Sequence, residues 1–164
     1  SSTSRGLGDV YKRQILVDPM MRTSNSDILA IGDVALQRGE SLRIESVHNA
    51  QDSAARAVAG LLDMPPPASQ APWFWSDQYD AKLQSAGIVP TETDADDLIH
   101  VSRPGKREGG MSVWTYSGKQ LLAVEAVRDP AGYMLGKKCL EADISPDPDQ
   151  VGDPTFDLKA LLAH

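Results

Sequence analysis

An α+β fold in two parts is what this sequence predicts, and three observations predict it. Short apolar runs bounded by turn residues open the first part. A long stretch then places Val47, Ala50, Ala54, Val58 and Leu61 at three- and four-residue spacing, which marks one apolar helix stripe. Beyond a proline run, strand-like segments precede a proline-started helix, the segregated order of an antiparallel sheet with flanking helices.

The elements follow in order. Ile15 to Asp18 (ILVD) reads as a short buried strand, and PMMRTSNSD after it as a turn-rich loop. Ile28 to Ile31 is a second apolar run, ending in Gly32 and Asp33; continuous apolar residues with a turn at the carboxyl end are the pattern of buried parallel strands. The long helix starts near Glu45 or Ser46, with Ser46 as its N-cap, and ends around LLDMPPP because proline cannot continue it. MPPPASQA, residues 64–71, is stiff and extended, a boundary between the two parts. DAKLQSAGI and DDLIHV read as strands. MSVWTY and LLAVEAV read as two more, joined by SGKQ into a hairpin. PAGYMLGKKCLEA reads as a helix with Pro130 in its first turn, and FDLKALLA as a short C-terminal helix.

Composition narrows the function classes. The 164 residues suit one ordinary domain or two small ones, and 41% hydrophobic content can supply a core. A net charge of -7 argues against nucleic acid, which needs a basic face. One cysteine, Cys139, and scattered His48, His100 and His164 exclude an internal disulfide, a Cys-rich zinc site and a self-contained iron–sulfur cluster. No apolar run reaches a membrane span, so no membrane partner is expected, and a reducing, cytoplasmic setting is the default. Residues 1–14 are Ser/Gly/Arg-rich without periodicity and are taken as a non-native tail. Their GLGDVY starts like a dinucleotide fingerprint, but Tyr11 stands at the third glycine position.

Several stretches offer candidate sites. In DISPDPDQVGD, a calcium loop begun at Asp147 would place Val151 and Leu158 at ligand positions, so a solvated Pro/Asp loop is expected. Cys139 reads as a packed structural thiol. RPGKREGG reads as a solvated basic turn or a docking patch. In AIGD, a strand ending in Gly-Asp sets Asp33 at the carboxyl edge of a sheet, either as a turn residue or as an acceptor for sugar or ribityl hydroxyls. RIESVHNA opens the long helix, where backbone N–H groups favour negative charge; the reading is either ordinary capping or a helix aimed at an electron-accepting ring. PWFWSDQYD holds four of the nine aromatic residues. If extended, it puts Trp73 and Trp75 on one face and Phe74 on the other, the pattern of a strand buried on both sides. One side is then the domain's own core, and the other a planar ligand or a second domain.

Three motifs stand in sequence: RTSNSDILAIGDVA, RIESVHNAQDSA and PWFWSDQYDAKLQSAG. Together, over residues 15–162, they resemble the C-terminal part of FAD-dependent ferredoxin and rubredoxin reductases of the putidaredoxin-reductase type. The resemblance implies that Asp33 holds a ribityl hydroxyl of FAD, with Gly32 allowing close approach. It implies that Glu45, Ser46 and Val47 begin the helix that points at the flavin pyrimidine edge, continued by Asn49 and Ala50. Trp75 matches the aromatic beside the isoalloxazine ring, with Trp73 and Gln78 as weaker matches. No side chain is implied as a general acid or base, and no metal. Residues 15–63 would be the end of an FAD-binding Rossmann-like domain, and 72–164 a small interface domain with about three antiparallel strands and flanking helices. The intact enzyme would take hydride from NAD(P)H onto FAD and pass electrons to a two-iron ferredoxin or a rubredoxin.

The departures are as informative. Family members are much longer and carry two GxGxxG fingerprints, one for FAD and one for NAD(P)H, that are absent here. The FAD site is therefore expected to be incomplete, the NAD(P)H site absent, and the chain inactive without its N-terminal FAD and NAD(P)H domains. His48 stands where a larger aromatic or glutamine is common. Two alternatives stay open: a related flavoenzyme with another acceptor, of monodehydroascorbate-reductase, nitrite-reductase or apoptosis-inducing-factor type, or a non-catalytic interaction domain that docks through WFW.

Overall fold

The computed structural model describes residues 10–11, 14–40, 42–68, 70–89 and 97–162. The chain divides into two compact units between residues 69 and 70. Most of the 1–14 tail, including its GLGD, lies outside the described residues, as do Asp96 of DDLIHV and the last residue of FDLKALLA.

The first unit holds a three-stranded sheet in the order β1 (Val10–Tyr11), β2 (Gln14–Val17), β3 (Ala35–Gln37). β1 is antiparallel to β2. β3 runs parallel to β2, with Ile15 opposite Ala35 and Val17 opposite Gln37. A parallel pair is thus present, but its second strand is Ala35–Gln37 and not the expected Ile28 to Ile31. The backbone of that apolar run is engaged locally instead. Thr23 N–H donates to Ile28 O at 2.9 Å, Ile28 N–H to Asn25 O at 3.0 Å and Ala30 N–H to Met21 O at 3.0 Å. The chain then makes a 3-10 turn, Gly32–Val34, with Gly32 at φ 70°. Asp33 therefore precedes a strand rather than closing one, which corrects the expected carboxyl-edge position.

α1 spans Val47–Leu61 and starts at the expected Ser46 cap. It stops as expected before the prolines, with Asp63 in a left-handed conformation at φ 52°. Its buried face is not the expected stripe. Ser53, Ala57, Ala59 and Gly60 are buried, while Val47 and Val58 are each 52% exposed and Leu61 62%. Close approach selects small residues: a Cβ at Gly60 would stand 2.9 Å from Met20 Cβ, and the Arg22 guanidinium donates to Gly60 O at 2.5 Å. The core here is Val17, Met21, Ala30, Ala35 and Ala57.

The second unit is a five-stranded antiparallel sheet, not one of three strands. Its order is β4 (Trp73–Gln78), β5 (Ala81–Gly87), β8 (Gln120–Val127), β7 (Met111–Ser117), β6 (Leu98–Pro104). The expected β7–β8 hairpin is present, turning at Gly118 with φ 57°. α2, Pro130–Glu141, is capped by Asp129, whose carboxylate accepts the Gly132 N–H at 3.1 Å. α2 lies on the sheet so closely that a Cβ at Gly136 would fall 2.5 Å from Val124 Cγ2. Trp114, Tyr116, Leu121, Val124, Cys139, Val151 and Leu158 form the core, with Cys139 buried as expected.

Two expectations fail at the C-terminal end. DISPDPDQVGD is not wholly a solvated loop: Asp147 caps a short helix, α3 (Pro148–Gly152), which buries Val151. The last element, Leu158–Leu162, is a 3-10 turn. Arg103, first residue of the basic turn, faces inward. It donates to the carbonyls of Val151 (2.9 Å), Asp153 (2.6 Å), Pro154 (3.3 Å) and Phe156 (2.7 Å), and so fastens the C-terminal segment.

Among the described residues the buried Tyr116 hydroxyl has no hydrogen-bond partner. Burial, then the neighbouring Cys139 and Asp147, raises its pKa above the ordinary value near 10. The neutral phenol is the form the fold favours, so its contribution is intact below about pH 10 and lost as pH rises further. Tyr116→Phe removes an unsatisfied buried hydroxyl and is expected to raise stability by about 1 kcal/mol. Urea denaturation at pH 7 and at pH 10.5 or above checks both parts, since the variant should also lose less stability at the alkaline end.

Candidate functional site

Ser46 anchors one group of candidates, all in the first unit. Its backbone is extended (φ -156°, ψ 156°), its Oγ accepts the Asn49 N–H at 3.0 Å, and its carbonyl accepts the Ala50 N–H at 3.0 Å. The Asn49 side chain donates back to Ile44 O at 2.8 Å, so the chain is fixed on both sides of the cap. Val47 opens the helix, where the first N–H has no intrahelical acceptor, and its side chain is largely exposed. Glu45 is exposed and ion-paired with Arg43.

Gly32 and Asp33 are fastened to the same helix. Gly32 N–H donates to Ser53 Oγ at 2.9 Å, and that hydroxyl donates to Ala50 O at 3.1 Å. A Cβ at Gly32 would lie 3.8 Å from the Ala50 Cβ. The structure therefore brings Gly32, Asp33 and the first turns of α1 together, with Asp33 exposed. Ser53 escaped the sequence reading, since a serine on a helix whose large apolar residues fall elsewhere gives no signal. Ser46→Ala is expected to cost about 1 kcal/mol of stability, read as a lower urea midpoint.

Trp75 belongs to the second unit. On edge strand β4, Trp73 pairs with Ala86 and Trp75 with Gln84. The two indoles share a face, with ring centroids 5.4 Å apart and planes tilted by 31°. Trp73 packs on the Ala86, Ala126 and Tyr133 cluster, so it holds its neighbour in place. Trp75 is 36% exposed, Phe74 on the other face 46%, and Tyr79 at the hairpin tip fully so. The strand is thus not buried on both sides; only Trp73 joins the core. Gln78 is exposed and donates to Ser76 Oγ at 3.0 Å. Among the described residues no group of three or more His, Cys, Asp or Glu could hold a metal, and no helix is long and apolar enough to cross a membrane.

Residues 73–162 match the family described as Reductase C-terminal, and the chain belongs to that family. It is 38% identical over 154 residues to rhodocoxin reductase of Rhodococcus erythropolis, covering 92% of this chain and 35% of that protein. It is 33% identical over 153 residues to putidaredoxin reductase CamA of Pseudomonas putida, covering 91% and 35%. Among solved structures it resembles the ferredoxin reductase for the CYP199A2 system from Rhodopseudomonas palustris, with a TM-score of 0.78 at 40% identity over 92% of this chain and 37% of that one. It also resembles putidaredoxin reductase in its covalent complex with putidaredoxin, with a TM-score of 0.79 at 30% identity over 92% and 36%. The chain spans about a third of the length of the curated relatives it matches.

Proposed function

We propose that this chain is the C-terminal portion of an FAD-dependent NAD(P)H oxidoreductase that passes electrons to a small iron–sulfur protein, a two-iron ferredoxin or a rubredoxin. The observation that carries this reading is similarity over 92% of the chain to rhodocoxin reductase, reaching beyond the family match at 73–162. Residues 15–63 are then the end of the FAD-binding Rossmann-like domain, which the parallel β2–β3 pair supports. Residues 64–71 are the linker and 72–164 the interface domain, and the setting is cytoplasmic.

FAD, when bound, supplies hydride acceptance and release of single electrons, and the protein supplies position and electrostatics. Asp33 holds a ribityl hydroxyl as an acceptor, and the Gly32 turn keeps it against α1. The α1 start at Glu45, Ser46 and Val47 presents N–H donors and the positive end of the helix dipole to the pyrimidine edge. The Arg43 partner offsets the negative charge of Glu45 there. Trp75 shields the ring and forms part of the docking surface for the acceptor protein.

Reading the source gene upstream of Ile15 tests this directly. In-frame coding sequence with two strand–GxGxxG–helix units, one for FAD and one for NAD(P)H, is the expected result. An upstream frame that encodes an unrelated domain would overturn it.

A further inference from the structure

The turn that carries Asp33 has little side-chain burial to hold it. Gly32 is buried, but Asp33 is exposed, Ile31 is 45% exposed and Val34 51%. The Gly32 backbone does the fastening instead. Its carbonyl accepts the Ala35 N–H, which closes the turn on itself. Its N–H donates to Ser53 Oγ at 2.9 Å, which ties the turn to α1. Ser53 is 3% exposed, on a helix face otherwise made of Ala57, Ala59 and Gly60, where a hydroxyl without partners is costly. Its own proton goes to Ala50 O at 3.1 Å, so its lone pairs are left for the Gly32 N–H. Ser53 follows Ser46 by two helical turns, so the fastened turn lies on the side of α1 that carries the cap.

We propose that Ser53 is a positioning residue of the flavin site: through the Gly32 N–H its hydroxyl holds Asp33 at a fixed place beside the first turns of α1, without itself touching the cofactor. This rests on the proposed function, in which Asp33 takes a ribityl hydroxyl and the start of α1 meets the pyrimidine edge. Those two groups must meet one ligand at once, so their spacing matters as much as their chemistry. Ser53 sets that spacing, because it is part of the helix and its hydrogen bond ends on the residue before Asp33. Without the hydroxyl the buried Gly32 N–H loses its acceptor. The turn then moves to find another, and Asp33 moves with it.

The test uses a chimera in which residues 15–164 replace the matching part of rhodocoxin reductase, and FAD is the probe. Ser53→Ala is compared with Ala57→Gly, which weakens the same buried helix face one turn on without touching the Gly32 turn. Both are read below their unfolding temperatures. Ser53→Ala should raise the Kd for FAD by about tenfold or more over Ala57→Gly, and should alter the visible circular dichroism of the bound flavin. Ala57→Gly should lower Tm and leave that flavin signal as in the parent. Equal Kd values and equal flavin signals in the two variants would reduce Ser53 to a structural residue and overturn the inference, while the proposed function stands. A folded parent chimera that binds no FAD would overturn both. Amide exchange in the free chain gives a second reading that needs neither FAD nor a stable variant. The Gly32 N–H should exchange many-fold more slowly than that of an unbonded loop glycine, and exchange at the unprotected rate would overturn the inference.

Discussion

Gly87→Ala is expected to destabilise the C-terminal unit by about 3–5 kcal/mol, enough to consume much of the stability of an ordinary domain. Gly87 ends β5 at φ 81° and sits opposite Ala123 of β8. A Cβ there would meet Leu122 O at 2.1 Å, Ala123 Cα at 2.9 Å and Leu140 Cδ1 at 3.0 Å. Two of these neighbours are backbone of the central strand, which cannot yield without breaking the ladder. The left-handed φ adds its own strain. Gly118→Ala is the matched control: it shares a positive φ of 57° but has nothing within 4 Å, so only the conformational cost, about 1 kcal/mol, should appear. Thermal unfolding separates the two, with Tm falling by at least about 10 °C for Gly87→Ala and only a few degrees for the control. Equal shifts would show that the sheet has room at this corner.

Trp75→Ala, introduced into an intact reductase carrying this C-terminal portion, is expected to slow electron transfer to the iron–sulfur partner by about tenfold or more, while FAD stoichiometry holds. The expectation rests on the proposed role of Trp75 beside the flavin. Trp75 is partly exposed on an edge strand and seated on Trp73, which is itself tied to the core. Its loss should therefore cost the fold little, about 1 kcal/mol, whereas Trp73→Ala should cost about 3 kcal/mol through its core contacts. Trp75→Phe keeps an aromatic face and should recover much of the rate. Stopped-flow traces that superimpose for wild type and Trp75→Ala would remove Trp75 from the electron-transfer surface.

How much of this was legible in sequence depends on what kind of signal each element carries. The start of α1 was readable because a capping serine is a local, covalently encoded device, and the structure shows Ser46 in that role. The buried face of α1 was not, because hydrophobicity ranks Val58 and Leu61 above Ser53, Ala57, Ala59 and Gly60, whereas at Gly60 the close approach of Met20 leaves no room for a Cβ.

Ile28 to Ile31 looked like a strand by composition, yet its hydrogen bonds close onto Met21 to Asn25, a choice set by the turn chemistry of TSNSD that a run of apolar letters does not show. Ala35–Gln37, the true partner of β2, is too short to have any periodicity. β4 was visible as aromatics but not as an edge, because strand order is a tertiary property; five strands emerged where the family resemblance implied about three. α3 hid behind Pro and Asp residues that read as a loop, although Asp147 is its cap and Val151 its buried anchor. Of the site residues, Gly32 and Asp33 on a 3-10 turn and Ser46 and Val47 at the start of α1 lie in one unit, and Ser53, whose hydroxyl links Gly32 to Ala50 of α1, carried no pattern.

The flavin content of purified protein tests the central claim most directly. The free chain, with no pyrophosphate-binding fingerprint, should elute without stoichiometric flavin absorbance. Residues 15–164 joined to the upstream two thirds of rhodocoxin reductase should carry one FAD per chain. A free chain that is stoichiometrically yellow, or a folded chimera that is colourless, would contradict the account.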